Sequence, residues 1–187
     1  MIRDSPAVGN RGRRCCRSAS LLLVGMVVLA TLAFGQKPDE RWKGWQFLMG
    51  EWVGEGTGTP GEGSGGFTII PDLGNTVLVR RNFASYPATK DRPAFSHEDL
   101  MVMYYDNDKP RAIYFDNEKH VIRYSVEFSG DSSSITFRSE PVPSAPSFRF
   151  TYTKSSGDVL KIAFEIAMPD KPDSFSRYIE ASARRRK

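Results

Sequence analysis

From Glu51 onward, apolar and polar residues alternate with period two in one segment after another. His120, Ile122, Tyr124, Val126 and Phe128 alternate with Val121, Arg123, Ser125 and Glu127. Phe148, Phe150 and Tyr152 alternate with Arg149, Thr151 and Thr153, and Leu160, Ile162, Phe164 and Ile166 with Lys161, Ala163, Glu165 and Ala167. Such alternation marks strands with one dry face and one wet face. About ten strands are expected, near 51–58, 65–71, 75–84, 97–106, 111–116, 119–129, 133–139, 147–154, 158–167 and 174–184. Turn-forming triplets separate most of them, among them Leu73-Gly74-Asn75, Asp116-Asn117-Glu118 and Ser156-Gly157-Asp158.

Upstream of Glu51 the period changes. Trp42, Trp45, Leu48 and Met49 fall at helical spacing behind Pro38 and Asp39. They predict a helix of roughly two to three turns, weakened by Gly44 and ended by Gly50. Many short strands in sequence with tight turns and almost no helix predict an all-β fold. Its expected form is an up-and-down antiparallel β-barrel of about ten strands with a short N-terminal helix. Closure removes the exposed edges that so long a meander would otherwise present. Two proline-stiffened loops, 86–95 and 140–146, are expected to flank the barrel mouth. The Gly-rich run 57–66 lacks a Gly-Lys-Ser/Thr ending and leads into a strand, so it reads as a flexible hairpin and not as a phosphate loop.

The N-terminal end changes the charge picture. Residues 1–20 carry Arg3, Arg11, Arg13, Arg14 and Arg17 against Asp4, and an apolar run of 14 residues, Leu21–Phe34, follows. With Ala33-Phe34-Gly35 behind it, this is the pattern of a cleaved signal peptide over 1–35, with cutting before Gln36. The run is short of the roughly 20 apolar residues of a membrane anchor. Arg13-Arg14 lacks the apolar residues that follow a twin-arginine pair, so Sec export to the periplasm or the extracellular space is expected. The whole chain has 26 Lys+Arg and 22 Asp+Glu; residues 1–35 hold 5 and 1, leaving 21 and 21 for residues 36–187. The apparent basicity therefore gives no support for nucleic-acid binding. Arg184-Arg185-Arg186-Lys187 is the one basic cluster left, and it reads as a solvated tail. Cys15 and Cys16 would leave with the signal, which excludes disulfides, thiolate metal sites and cysteine nucleophiles from the mature domain. Its 152 residues suffice for a single domain burying about 70% of its unfolded surface.

A short helix, then Phe47-Leu48-Met49-Gly50-Glu51-Trp52-Val53-Gly54-Glu55-Gly56, then about ten meandering strands over 39–184 resembles the calycin superfamily. Within it the layout is similar to nitrobindin-like haem-binding barrels and to exported, lipocalin-like barrels. The resemblance implies a barrel interior that holds an apolar ligand, with Trp52 packed near the closed end. It also implies a histidine on the last strand as haem ligand. Here Tyr178-Ile179-Glu180-Ala181 occupies that setting, so the position reads as Tyr178, a residue type that can ligate ferric haem.

Candidate chemistry is sparse. His97 and Asp99 share one strand face and Glu98 the other; two residues at i, i+2 do not make a metal site. Arg80-Arg81 must send one guanidinium to each face of its strand. One of them therefore points into the barrel, towards an acid partner (Glu98, Asp99 or Asp116) or an anionic ligand. Tyr104, Tyr105, Tyr114, Tyr124, Tyr152 and Tyr178 supply walls with an apolar face and a polar tip. The expected function is therefore an exported barrel binding a small apolar or amphipathic ligand, lipid- or fatty-acid-like or haem. Trp52, Arg80, Arg81, His97, Tyr104, Tyr105, Tyr124 and Tyr178 are its candidate residues. One alternative is a hydrolase- or isomerase-type enzyme using His97 with Asp99 or Glu98. Another is a packed envelope module that meets a partner through its outer surface.

Overall fold

The computed structural model describes residues 40–55, 63–155 and 157–187. The expected signal segment, both cysteines, Pro38 and Asp39 and most of the Gly-rich hairpin lie outside the described residues. Ten strands follow one another: β1 (Gly50–Glu55), β2 (Ser64–Asp72), β3 (Val77–Tyr86), β4 (Phe95–Asp106), β5 (Lys109–Asp116), β6 (Val121–Phe128), β7 (Ser134–Ser139), β8 (Ser147–Lys154), β9 (Val159–Ala167) and β10 (Ser176–Arg185). Each pairs antiparallel with its neighbours in sequence, and β10 returns to pair with β1, closing the barrel. The all-β, ten-stranded, up-and-down expectation is met, strand for strand.

The helix differs from expectation. It is a 3₁₀ helix over Glu40–Trp45, six residues or two turns at three residues per turn, and it stops at Trp45, short of the Gly50 end that the sequence predicts. Gly44 lies within it, where any side chain would crowd the Phe128 ring. A tight turn serves because its task is to plug one end of the barrel. Trp42, Trp45 and Leu48 are buried there. Trp45 packs edge-on against Phe128 and Phe137, with ring centroids 5.3 and 5.9 Å away. Burying each indole is worth about 4–6 kcal/mol as an upper bound. The polar atoms of this plug are also satisfied. Trp42 Nε1 donates to the Asn75 carbonyl at 2.7 Å, Trp52 Nε1 to the Leu48 carbonyl at 2.8 Å, and Tyr105 Oη to the Arg41 carbonyl at 2.7 Å.

The C-terminal basic cluster is not a solvated tail. Arg184 and Arg185 belong to β10, and with Arg186 they fasten the barrel seam. Arg184 Nε meets Glu55 and Arg186 Nη1 meets Glu51, each at 2.5 Å. Arg185 faces inward. Its guanidinium lies 4.3 Å from the Trp52 ring and donates to the Phe47 carbonyl at 2.8 Å and to the Met49 carbonyl. Those carbonyls end the plug and have no helical partner of their own. Gly50 makes this possible: its φ of +121° is a glycine conformation, and a Cβ there would sit 2.5 Å from Arg185 Nη1.

Arg185→Ala removes charged hydrogen bonds and a cation–π contact together. It should lower the unfolding free energy by about 2–3 kcal/mol in urea titrations, whereas the exposed Arg184→Ala should shift it by less than about 1 kcal/mol.

Candidate functional site

The β3–β4, β5–β6, β7–β8 and β9–β10 hairpins all turn at the end opposite the plug, which defines a mouth. The lower interior is filled by Phe67, Ile69, Leu78, Met101, Met103, Phe137, Tyr152 and Leu160, all buried. Above them the inner face divides into two walls of different chemistry.

The polar wall comes from β3, β4 and β5. Period two brings Arg80 and Asn82, His97 and Asp99, and Tyr114 and Asp116 to the inside in register. Asp99, with 3% of its side chain exposed, is the hub. It pairs with Arg80 Nη1, accepts from Asn82 Nδ2 at 2.8 Å and lies 3.5 Å from His97 Nε2. His97 Nε2 also reaches Tyr114 Oη at 3.1 Å, and its Nδ1 reaches Glu118 Oε1 at 2.9 Å. Tyr114 Oη in turn donates to Asp116 Oδ2 at 3.3 Å, and the His120 ring contacts the same oxygen at 2.8 Å. One connected chain therefore runs from Arg80 to His120.

Its electrostatics follow from that geometry. Hydrogen bonding to Asp99, outweighing burial and aided by Glu118, raises His97 from 6.5 to about 9. Burial opposes the charge on Arg80, but the Asp99 carboxylate beside it more than offsets this, and the guanidinium is held charged. The same guanidinium lies 5.4 and 5.5 Å from the Phe67 and Phe150 rings. Burial would raise Asp116, yet the His120 backbone N–H and ring bind its carboxylate and hold it below the usual range. Burial pushes the Tyr152 phenol up to about 12 and those of Tyr114 and Tyr124 up as well. His97 thus carries its proton at neutral pH. It can donate one, but it lacks the free lone pair of a general base.

The apolar wall comes from β8, β9 and β10. Phe148, Phe150, Ile162, Phe164, Ile166 and Ile179 occupy inward positions but are only half-buried. Phe148 stacks on Phe164 with centroids 5.8 Å apart. Of their outward neighbours, Arg149 meets Glu165 at 2.7 Å, next to the uncharged pair Thr151 and Ala163.

The register settles which candidates face inward. Of the arginine pair, Arg80 enters the barrel and Arg81 is exposed on the outer face. The Arg80 charge is taken by Asp99, one of the partners the sequence offered. Tyr105 points into the plug and accepts from Trp45 Nε1 at 3.2 Å, while Tyr104 is on the outer face opposite Arg111. Tyr124 is buried edge-on to Tyr114, 6.5 Å between centroids, and Trp52 is in the floor. Glu98 faces out, leaving Asp99 and Glu118 as the carboxylates within reach of His97. Tyr178 sits where β10 bulges between Arg177 and Ile179; it is 54% exposed and edge-on to Phe164. This donor set does not suit haem: both imidazoles are held by carboxylates, and Tyr178 sits largely exposed at the rim. No group of three or more metal-ligating side chains occurs among the described residues. Asn82 and Glu118 join the site without having been noted as candidates, and Tyr114 and Asp116, noted only as a wall tyrosine and a possible acid partner, join it as well. The only signal for them was the phase of their strands and the Asp-Asn-Glu turn.

No protein-family model and no curated protein matches the chain. Among solved structures, the crystal structure of Rv2717c from M. tuberculosis is similar, with a TM-score of 0.55 and 13% identity over 81% of this chain and 100% of that one. At that identity the likeness shows the barrel fold alone.

Two outcomes are expected. Removing one partner of a buried ion pair leaves the other charge unpaired, so Asp99→Ala should cost about 3–5 kcal/mol in denaturant titrations. His97 is bound more tightly by its proton in the folded chain, so its contribution is complete below pH 6.5 and is lost as pH rises through about 9. Unfolding free energy should therefore fall across that interval, and His97→Gln should flatten the fall. The buried tyrosines, whose ordinary value is 10.0, add their own loss only above it.

Proposed function

We propose that this chain is an exported, calycin-like barrel that binds a small amphipathic ligand in its mouth. The observation that carries the reading is the division of the upper interior. Six inward apolar side chains on β8–β10 remain half-buried, facing a wall of hydrogen-bonded polar groups on β3–β5. Inward aromatic surface left accessible above a filled floor is what an apolar guest would cover. The polar end of that guest would meet His97, Tyr114 and Asn82, since the Arg80 charge is already taken by Asp99. The head group is therefore not expected to be a bare carboxylate seated on Arg80, as fatty-acid binding would require. Export rests on the N-terminal charge and hydropathy pattern. Among the described residues, no helix is long and apolar enough to cross a membrane.

The test is native mass spectrometry of the protein purified gently from the envelope of its host, paired with Ile179→Arg. A reproducible extra mass is expected, absent from Ile179→Arg while that variant keeps its barrel by circular dichroism. A clean mass, together with no uptake of a neutral apolar fluorophore, would overturn the reading.

A further inference from the structure

Among the described residues, three buried side-chain atoms have no hydrogen-bond partner: Arg80 Nε, Arg92 Nε and Tyr152 Oη. Arg92 belongs to the loop between β3 and β4, whereas Arg80 and Tyr152 are neighbours inside the barrel. The same two rings flank both. Phe67 and Phe150 lie 5.4 and 5.5 Å from the Arg80 guanidinium carbon, and their centroids are 5.5 and 4.7 Å from that of Tyr152. Native interiors leave few polar atoms unpaired, because each has given up its water for nothing. Two such atoms side by side point to a shared partner. Their position fits the mouth above them. β8 descends from the mouth towards the plug, so Phe148, Phe150 and Tyr152 follow one another down the apolar wall. Phe148 and Phe150 are half-buried, and Tyr152 is fully buried. The accessible apolar surface thus ends directly above the two unpaired atoms.

We propose that Arg80 Nε and the Tyr152 hydroxyl form an inner subsite that takes an uncharged carbonyl oxygen on the leading end of the guest. This rests on the reading that the mouth binds an amphipathic molecule. The chemistry of the pair selects the acceptor. Nε of a guanidinium can only donate. The Tyr152 phenol, pushed up to about 12 by burial, keeps its proton at neutral pH and donates as well. A carbonyl oxygen has two lone pairs and no proton, so it satisfies both atoms and strands none of its own. A guest hydroxyl or a water would bring protons with only the Phe67 and Phe150 rings and the already engaged Asp99 to receive them. A carboxylate would add a second negative charge beside Asp99, which already balances Arg80. The guest therefore carries two polar points. Its head group lies at His97, Tyr114 and Asn82, and a ketone, ester or amide sits at the end that enters first. Both donor atoms are closed off from solvent, so entry turns aside the half-buried Phe150 ring above them.

The test compares two probes of nearly one shape, acetylnaphthalene and ethylnaphthalene, of which only the first carries a carbonyl. Their affinities are measured by titration calorimetry on the protein expressed from the full-length sequence and on its Tyr152→Phe variant. The ratio of ketone to hydrocarbon affinity is expected to fall about five-fold in Tyr152→Phe, the worth of one neutral hydrogen bond. By infrared difference spectroscopy, the carbonyl stretch of the bound ketone should lie below its value in hexane and move back towards it in the variant. Removing an unpaired hydroxyl costs little, so Tyr152→Phe should unfold at or above the wild-type temperature. If the variant fails to fold, the wild-type carbonyl stretch decides alone. A ratio indifferent to Tyr152→Phe, or a bound carbonyl that stretches as in hexane, would overturn the inner subsite and leave the mouth as a binding site. The same indifference in a destabilised Tyr152→Phe would identify a permanent water as the partner, and that too overturns it. Failure of both probes to bind would overturn the reading of the mouth, and the subsite with it.

Discussion

A sheet closed on itself has no edges, but it has two ends, and one of them must be filled before the interior can be dry. Here the filling depends on Arg185. It lies across the Trp52 ring and takes the carbonyls of Phe47 and Met49, so the last strand holds the chain segment that precedes the first. Barrel closure and plug placement are thus one event, contributed by residues 138 positions apart in sequence at the Phe47 contact. Flanking it, Arg184 and Arg186 pair with Glu55 and Glu51 along the same seam. With the floor fixed this way, the aromatic residues of the lower barrel have a rigid base to pack on, and the mouth is left to chemistry.

What the mouth displays follows from how charge is tolerated inside a barrel. Arg80 is buried beneath two aromatic rings, and such a charge persists only with a counter-charge beside it. Asp99 supplies this from the neighbouring strand and, once fixed, holds Asn82 and raises His97. The resulting network still leaves Arg80 Nε and the Tyr152 hydroxyl buried without a hydrogen-bond partner, and it faces an aromatic wall that is only half-buried. In the proposed function, apolar contact leads binding and the polar wall orients the guest.

The strand pattern, the turn positions and the direction of each side chain relative to its neighbours were legible in the sequence, because period two is a local property. That is why His97 and Asp99 were assigned a common face, and why one of Arg80 and Arg81 had to enter. Which of the two enters was not legible, since alternation fixes relative phase and only pairing with β2 and β4 fixes the absolute one. The plug was read as a longer helix because the spacing of Trp42 and Trp45 suits α- and 3₁₀-turns alike. The basic C-terminus was read as free because its partners, Glu51, Glu55 and the Met49 carbonyl, lie at the far end of the chain.

The sequence by itself therefore determined an all-β meander and its approximate strand boundaries. These rest on local periodicity and turn chemistry, which act over a few residues. The tertiary structure alone decided the register in which β1 meets β10, the joining of Arg80, His97, Asp116 and His120 into one network, and the alignment of Val53, Phe83, Phe115 and Val121 on one outer face. Each of these depends on the register between strands, and register is set by long-range pairing that no window of sequence contains.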